Sequence, residues 1–272
     1  MGLAYKRFDN LGNASSFLAQ TPDARTLGGG TLLVRRVNEG DTSIGTYVRL
    51  MDPALRRIDA AGETIRLGAA VTMAQLATHS DLEFLAPVAR IVGGPAVRAA
   101  ATVGGNLFAP NPYGDFGVAL LALDSSVAIL GDTGASEMSL SDFFAARDTL
   151  LPGTIVTTVS FQRPARESFH FAKVSRVKPK GIAVLSIAAV LEFSENRVTK
   201  ARIALGAMAK TPVRAQALEQ ALVGTQLSPR DLDRLLPLAL DGVAPESDAI
   251  ASAWYRSAVL PVHLRRLLLA RL

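Results

Sequence analysis

Apolar and polar positions alternate in short blocks along the chain, and the blocks change period as they go. "AYKRFD" (4–9) reads as a strand, residues 13–20 as a helix, and "ARTLGGG" (24–30) as a strand running into glycines. "TLLVRRV" (31–37) then reads as a helix and "TYVRLM" (46–51) as a strand, so the first 55 residues or so predict a small α/β unit. "RRIDAAGETIRLGAA" (56–70) predicts a hairpin turned at Gly62 and Glu63. Helical segments follow at 72–80 and 83–93, where Leu82, Leu85, Val88, Ala89 and Val92 recur at helical intervals. "DFGVALLALD" (115–124) reads as a buried helix, and "SVAILGDTGASEMSL" (126–140) as two strands with a tight turn at Asp132–Gly134. "TIVTTVSF" (154–161) is a closing strand before Pro164.

The texture changes near 164–168. "SFHFAKVSRV" (168–177), "IAVLSIAAVLEFS" (182–194) and "RVTKARIALGAM" (197–208) are three successive strand candidates, the last two joined at Glu195–Asn196. They predict a three-stranded antiparallel meander followed by helices at about 212–223, 229–240 and 247–272. The expected class is therefore α+β, with one domain over 1–165, divided at about 1–55 and 56–165, and a second over 166–272. The C-terminal "HLRRLLLARL" is amphipathic and reads as a domain-packing or subunit-contact helix.

Composition narrows the chemistry. None of the 272 residues is cysteine, which removes disulfides, cysteine nucleophiles, cysteine-linked flavin and any cysteine-ligated zinc or iron–sulfur centre from this chain. The three histidines stand far apart, at 79, 170 and 263, and belong to no spaced ligand motif. A net charge of +5 is spread over intermixed acids and bases, which reads as a solvated basic surface rather than a nucleic-acid arm. With no membrane-length apolar run and no hydrophobic leader in "MGLAYKRFDN", the expected compartment is the cytoplasm.

Two segments carry the functional signal, "LGGGTLLV" (27–34) and "ATVGGNLFAPNPYGDF" (101–116). Glycines at such hand-over points either mark plain turns or let a backbone approach a ligand and aim N–H groups at it. Neither segment has the spacing of a P-loop or of a Rossmann fingerprint. Two separate glycine-rich segments with an acid downstream, Asp115, fit a long two-ended ligand such as a dinucleotide.

The segments resemble those of one family. "LGGGTLLV" resembles A-G-G-T-[DNS]-L-[LV], and "GGPAVRAAATVGGNLFAPNPYGDF" resembles A-G-x-x-[IV]-R-x-x-[AG]-T-[IV]-G-G-N-[LI] followed by a short loop and an Asp. Both belong to the FAD-binding medium subunit of the molybdenum hydroxylases, the family of xanthine dehydrogenase and aerobic carbon monoxide dehydrogenase. "SFHFAKVSR" and "ARIALGAMAKTPVRAQALEQAL" are similar to that subunit's C-terminal domain, so the likeness covers nearly the whole chain.

The resemblance implies a two-part FAD-binding domain of the PCMH type followed by the flavoprotein C-terminal domain. It implies a first FAD loop of Gly28, Gly29, Gly30, Thr31, Leu32 and Leu33, and a second of Thr102, Val103, Gly104, Gly105 and Asn106, with backbone N–H groups of both holding the pyrophosphate. Valine at Gly104 or Gly105 would then obstruct the cofactor. Asp115 matches an acid that hydrogen-bonds FAD, Lys173 a lysine near the flavin, and Val156 an apolar contact. Leu32 departs from the pattern, standing where the family has Asp, Asn or Ser. On residue chemistry alone, Asp115 is a hydroxyl acceptor or a general base, and Lys173 tunes the flavin or pairs with a carboxylate.

The implied function is that of an oxidoreductase subunit, a flavoprotein passing electrons from iron–sulfur clusters through FAD to an external acceptor. No catalytic residue and no metal ligand is expected on this chain itself. The partners would be a small subunit carrying [2Fe-2S] clusters and a large molybdopterin subunit, as a dimer of heterotrimers. A self-contained flavin oxidase or reductase of the same fold, and a non-catalytic assembly protein, stand as alternatives.

Overall fold

A computed structural model describes residues 2–131, 134–177 and 181–270. The chain begins with β1 (Ala4–Phe8), α1 (Leu11–Gln20), β2 (Ala24–Thr26), α2 (Leu33–Asn38) and β3 (Thr46–Leu50). Next come β4 (Ile58–Asp59), β5 (Thr64–Gly68), and the short helices α3 (Met73–Leu76), α4 (Ala86–Arg90), α5 (Pro95–Ala100) and α6 (Val103–Leu107). They are followed by α7 (Asp115–Ala122), β6 (Ser126–Gly131), β7 (Gly134–Ser139), α8 (Leu140–Ala146) and β8 (Ile155–Gln162). The remainder is β9 (Phe169–Ser175), β10 (Ala183–Ser194), β11 (Arg197–Gly206), β12 (Val213–Arg214), α9 (Gln216–Leu222), α10 (Pro229–Leu235) and α11 (Ala253–Leu269). These elements form two compact units, Met1–Ala109 with Ser125–Gln162, and Pro110–Asp124 with Arg163–Leu272.

The first unit holds two sheets. In the smaller one, β3 lies between β1 and β2 and runs parallel to both. Parallel neighbours need crossovers, which α1 and α2 supply. Asn10 caps α1 by accepting from the Asn13 N–H at 2.9 Å, and the i, i+4 pair Ala14 and Leu18 packs with Val48 and Leu50 of β3. The larger sheet is antiparallel, ordered β4-β5-β8-β6-β7. Ile65, Leu67, Val127 and Val159 are fully buried along it. The hairpin expected over 56–70 is the β4–β5 pair, Ile58 opposite Leu67. Residues 132–133 of the expected turn between β6 and β7 lie outside the described residues.

The sheet of the second unit has four strands, β12-β11-β10-β9, where the sequence predicts three. The addition is β12, whose Val213 and Arg214 pair with Leu205 and Ala204. A two-residue strand directly after Thr211-Pro212 carries no alternation and reads as a turn. The Glu195–Asn196 turn is as expected, with both residues at positive φ (48° and 60°), the conformation of a two-residue hairpin turn.

Strand β10 is apolar without alternation because it is covered twice. Leu185, Ile187, Ala189 and Leu191 join a core with residues of α9, α10 and α11. The intervening residues face the other way, and Ser186 lies with Val118 of α7 around Gly206. All eight residues of α7 are buried accordingly.

Two arginines brace this unit. Arg214, the Arg of Thr-Pro-x-Arg, donates to both carboxylate oxygens of buried Glu219, at 2.6 and 2.8 Å, and Glu219 also accepts the Ile203 N–H at 2.6 Å. That fork ties β12 and α9 to β11. Arg256 of α11 is fully buried. It donates to the Glu246 carbonyl at 3.1 Å and to both oxygens of Asp248 at 2.9 and 2.8 Å.

Burial alone would raise the Asp248 carboxyl, but the N–H groups of Ala251 and Ile250 and the Arg256 guanidinium outweigh it and hold the group below its ordinary value. A carboxyl depressed on folding stabilises fully above its unfolded pKa of about 3.9 and ceases to do so as pH falls through its lower folded value. The unfolding free energy is therefore expected to decline as the pH falls below about 5. Urea titrations across that range should show a shallower decline for Asp248→Asn.

Candidate functional site

In the first unit the glycine segments are adjacent loops with different roles. Leu27 continues β2, its N–H donating to the Val48 carbonyl at 2.7 Å. The chain then leaves the sheet through Gly28, Gly29 and Gly30, and α2 begins after Leu32. Gly30 has φ +75°, which favours glycine. Leu32 occupies the N-cap of α2 and makes no side-chain cap bond. Among the described residues, the N–H groups of Gly28, Gly29, Gly30, Thr31 and Leu32 have no acceptor. Successive open N–H groups of this kind form an anion-binding concavity.

The second segment is a capped helical turn rather than an open loop. Thr102 is the N-cap of α6, its Oγ1 accepting the Gly105 N–H at 3.1 Å. The Val103 and Gly104 N–H groups donate to Val71 and Ala69 carbonyls, both at 2.8 Å, and the Asn106 N–H donates to the Thr102 carbonyl at 3.0 Å. Asn106 Nδ2 reaches the same carbonyl at 2.9 Å. Beyond the turn, Arg147 donates to the carbonyls of Leu107 and Ala109 at 3.0 and 3.1 Å. The donors of Val103 to Asn106 are thus already engaged, and the open donors belong to the first segment.

The segments touch. A Cβ on Gly28 would lie 2.8 Å from Thr102 Oγ1, and one on Gly29 would lie 1.7 Å from the Ala100 carbonyl oxygen. Gly104 and Gly105 differ as well. Gly104 is buried, and its absent side chain points at Ala69, with the Cβ 3.0 Å from a Cβ on Gly104. Gly105 is exposed, and a Cβ there would meet only Thr102 Oγ1, at 3.0 Å. Val156 is a buried core position of β8, opposite Ile129.

In the second unit, Asp115 opens α7 after Gly114, whose φ is +95°. The residue is 7% exposed, and its carboxylate sits at the end of the helix whose dipole favours an anion. Lys173 of β9 donates to Asp115 Oδ2 at 2.7 Å. Of the two roles open to this lysine, the geometry displays the carboxylate pair. Asp115 Oδ1 is buried with no partner among the described residues, as is Asn111 Oδ1. An unpaired buried acceptor is costly unless a ligand donor meets it.

The family described as FAD binding domain in molybdopterin dehydrogenase matches residues 2–163. The chain belongs to this family. Residues 170–270 match the CO dehydrogenase flavoprotein C-terminal domain. The carbon monoxide dehydrogenase medium chain of Afipia carboxidovorans is 28% identical, with 96% of this chain and 94% of that one covered. The xanthine dehydrogenase FAD-binding subunit of Escherichia coli O157:H7 is also 28% identical, covering 93% and 90%. Among solved structures, reconstituted CO dehydrogenase from Oligotropha carboxidovorans superposes with a TM-score of 0.91 at 26% identity, over 100% of this chain and 99% of that one.

The expected α+β class and flavoprotein family hold. Family membership makes FAD the cofactor of this chain, and the residues present suit it. Open N–H donors match a pyrophosphate, and an unpaired buried carboxylate oxygen matches a hydroxyl donor. Two residues had no role in the sequence reading, Asn111 and Arg49. Arg49, on β3, donates to the carbonyls of Leu27, at 3.3 Å, and Gly28. Arg49 stands in no motif, and Asn111 lies inside the second segment, where residue type alone gives it no role.

Proposed function

We propose that the chain is the FAD-binding electron-transfer subunit of a heteromeric molybdenum hydroxylase. Its partners are a small iron–sulfur subunit and a large molybdopterin subunit, assembled in the cytoplasm as a dimer of heterotrimers. The observation that carries this reading is the run of open N–H donors over Gly28–Leu32 in a chain of this family. With no cysteine to ligate iron–sulfur clusters, any such cluster that feeds the flavin belongs to another polypeptide. Among the described residues no helix is long and apolar enough to cross a membrane, and no cluster of side chains suited to a metal is present.

Bound FAD supplies the redox chemistry, and this chain supplies binding and orientation. In the first unit, the N–H groups of Gly28 to Leu32 would hold the pyrophosphate, with Leu33 starting the helix behind them and the exposed face of Gly105 leaving room beside them. Thr102, Val103, Gly104 and Asn106 brace that arrangement. In the second unit, Asp115 Oδ1 would accept from a cofactor hydroxyl, while Lys173 balances the charge at Oδ2. Leu32 leaves the first-turn N–H groups of α2 without a competing side-chain acceptor.

Purification of the complex from its native host tests the assignment. Co-purification with two subunits bearing iron–sulfur and molybdenum, and flavin absorbance near ~450 nm in this chain, is the expected result. Substrate turnover by the isolated chain would overturn it. Gly105→Val is expected to lose most bound flavin with little change in melting temperature. Gly104→Val should instead lower stability by roughly 1–3 kcal/mol, since its side chain enters packed space. Flavin-to-protein ratios and thermal melts separate the two.

A further inference from the structure

Arg49 touches the glycine segment from behind, on the carbonyl side. Its Nη1 donates to the carbonyls of both Leu27 and Gly28, from a half-buried place on β3. A trans peptide holds its C=O and its following N–H on opposite sides of one plane. Fixing the Leu27 carbonyl therefore fixes the direction of the Gly28 N–H, and fixing the Gly28 carbonyl fixes that of the Gly29 N–H. Those are two of the donors without an acceptor among the described residues. Glycine peptides are the ones most able to flip, so a device that holds these two planes has work to do here.

Among the described residues no carboxylate pairs with Arg49, so its charge acts on the segment uncompensated.

We propose that Arg49 is a positioning residue of the cofactor site, one that aims the Gly28 and Gly29 N–H groups at the pyrophosphate and adds positive potential there. This rests on the FAD reading above. The test uses the full-length chain stripped of flavin, titrated with FAD and separately with ADP, which carries the pyrophosphate without the flavin.

Arg49→Met is expected to weaken both ligands by the same factor, roughly 10- to 100-fold, as for loss of charge-assisted hydrogen bonding. The melting temperature of the ligand-free chain should stay within a few degrees of the parent. Arg49→Lys keeps the charge but not the planar fork, and should recover only part of the loss. Unchanged affinities in Arg49→Met, weakening of FAD without ADP, or full recovery in Arg49→Lys would each overturn the proposal. If the unmodified chain binds neither FAD nor ADP, the FAD reading itself fails, which is a distinguishable outcome.

Discussion

Gly29→Ala is expected to yield a chain that folds, at the cost of about 1–3 kcal/mol of stability typical of overpacking, but holds less than about a tenth of the parent's FAD. The added methyl carbon would lie 1.7 Å from the Ala100 carbonyl oxygen, 2.3 Å from its carbon and 2.9 Å from the Ala101 nitrogen. All three are backbone atoms, so no rotamer change relieves the clash and the segments must part. Parting them would turn the Gly28 and Gly29 N–H groups away from the direction in which the proposed pyrophosphate contact needs them. Gly62→Ala serves as control, because a Cβ there meets nothing within 4 Å. Flavin absorbance per mole of purified protein decides the matter, and a normal ratio for Gly29→Ala would refute the close packing of the two segments.

The second large effect is expected at Arg256. Arg256→Ala removes a wholly buried guanidinium together with its bonds to Asp248 and the Glu246 carbonyl. Deleting it empties a packed site and breaks charge-assisted bonds to a carboxylate that is itself 30% exposed, a loss of about 2–5 kcal/mol. That lowers the melting temperature by roughly 10 °C for a protein of this size. Calorimetry should place the loss in the second unit, where the α11 core lies. Arg265→Ala is the comparison, its ion pair with Asp233 being exposed on both sides (40% and 65%) and worth no more than about 1 kcal/mol. Equal shifts for the two variants would show that Arg256 contributes no more than a surface charge.

Both predictions concern contacts that a linear reading does not contain. Period and punctuation were enough to place β1 to β3 and the β10–β11 hairpin, because those elements carry their own alternation and turn residues. The glycine segments were legible for the same reason, as local departures from the pattern. What lay hidden depends on pairing across the chain. The donors of Val103 and Gly104 are taken up by carbonyls of residues 71 and 69, which turns an apparent loop into a buttress. Arg49 is 21 residues from Gly28, and only the parallel β2–β3 pairing brings its strand beside the segment. Strand β12 exists because Arg214 finds Glu219 and the β11 edge, not because "VR" is a strand by composition.

The burial of α7 has a consequence for the way the protein can be taken apart. The helix belongs to the second compact unit, yet residues of the first unit precede and follow it in sequence, so the polypeptide passes between the units three times, after residues 109, 124 and 162. No single cut separates them. A fragment ending near 163 would carry an apolar helix whose natural cover is left behind, while the complementary fragment would present one naked side of β10 to water. Circular permutation or a graft of 110–124 onto the second unit, rather than simple truncation, is the rational way to obtain either piece alone.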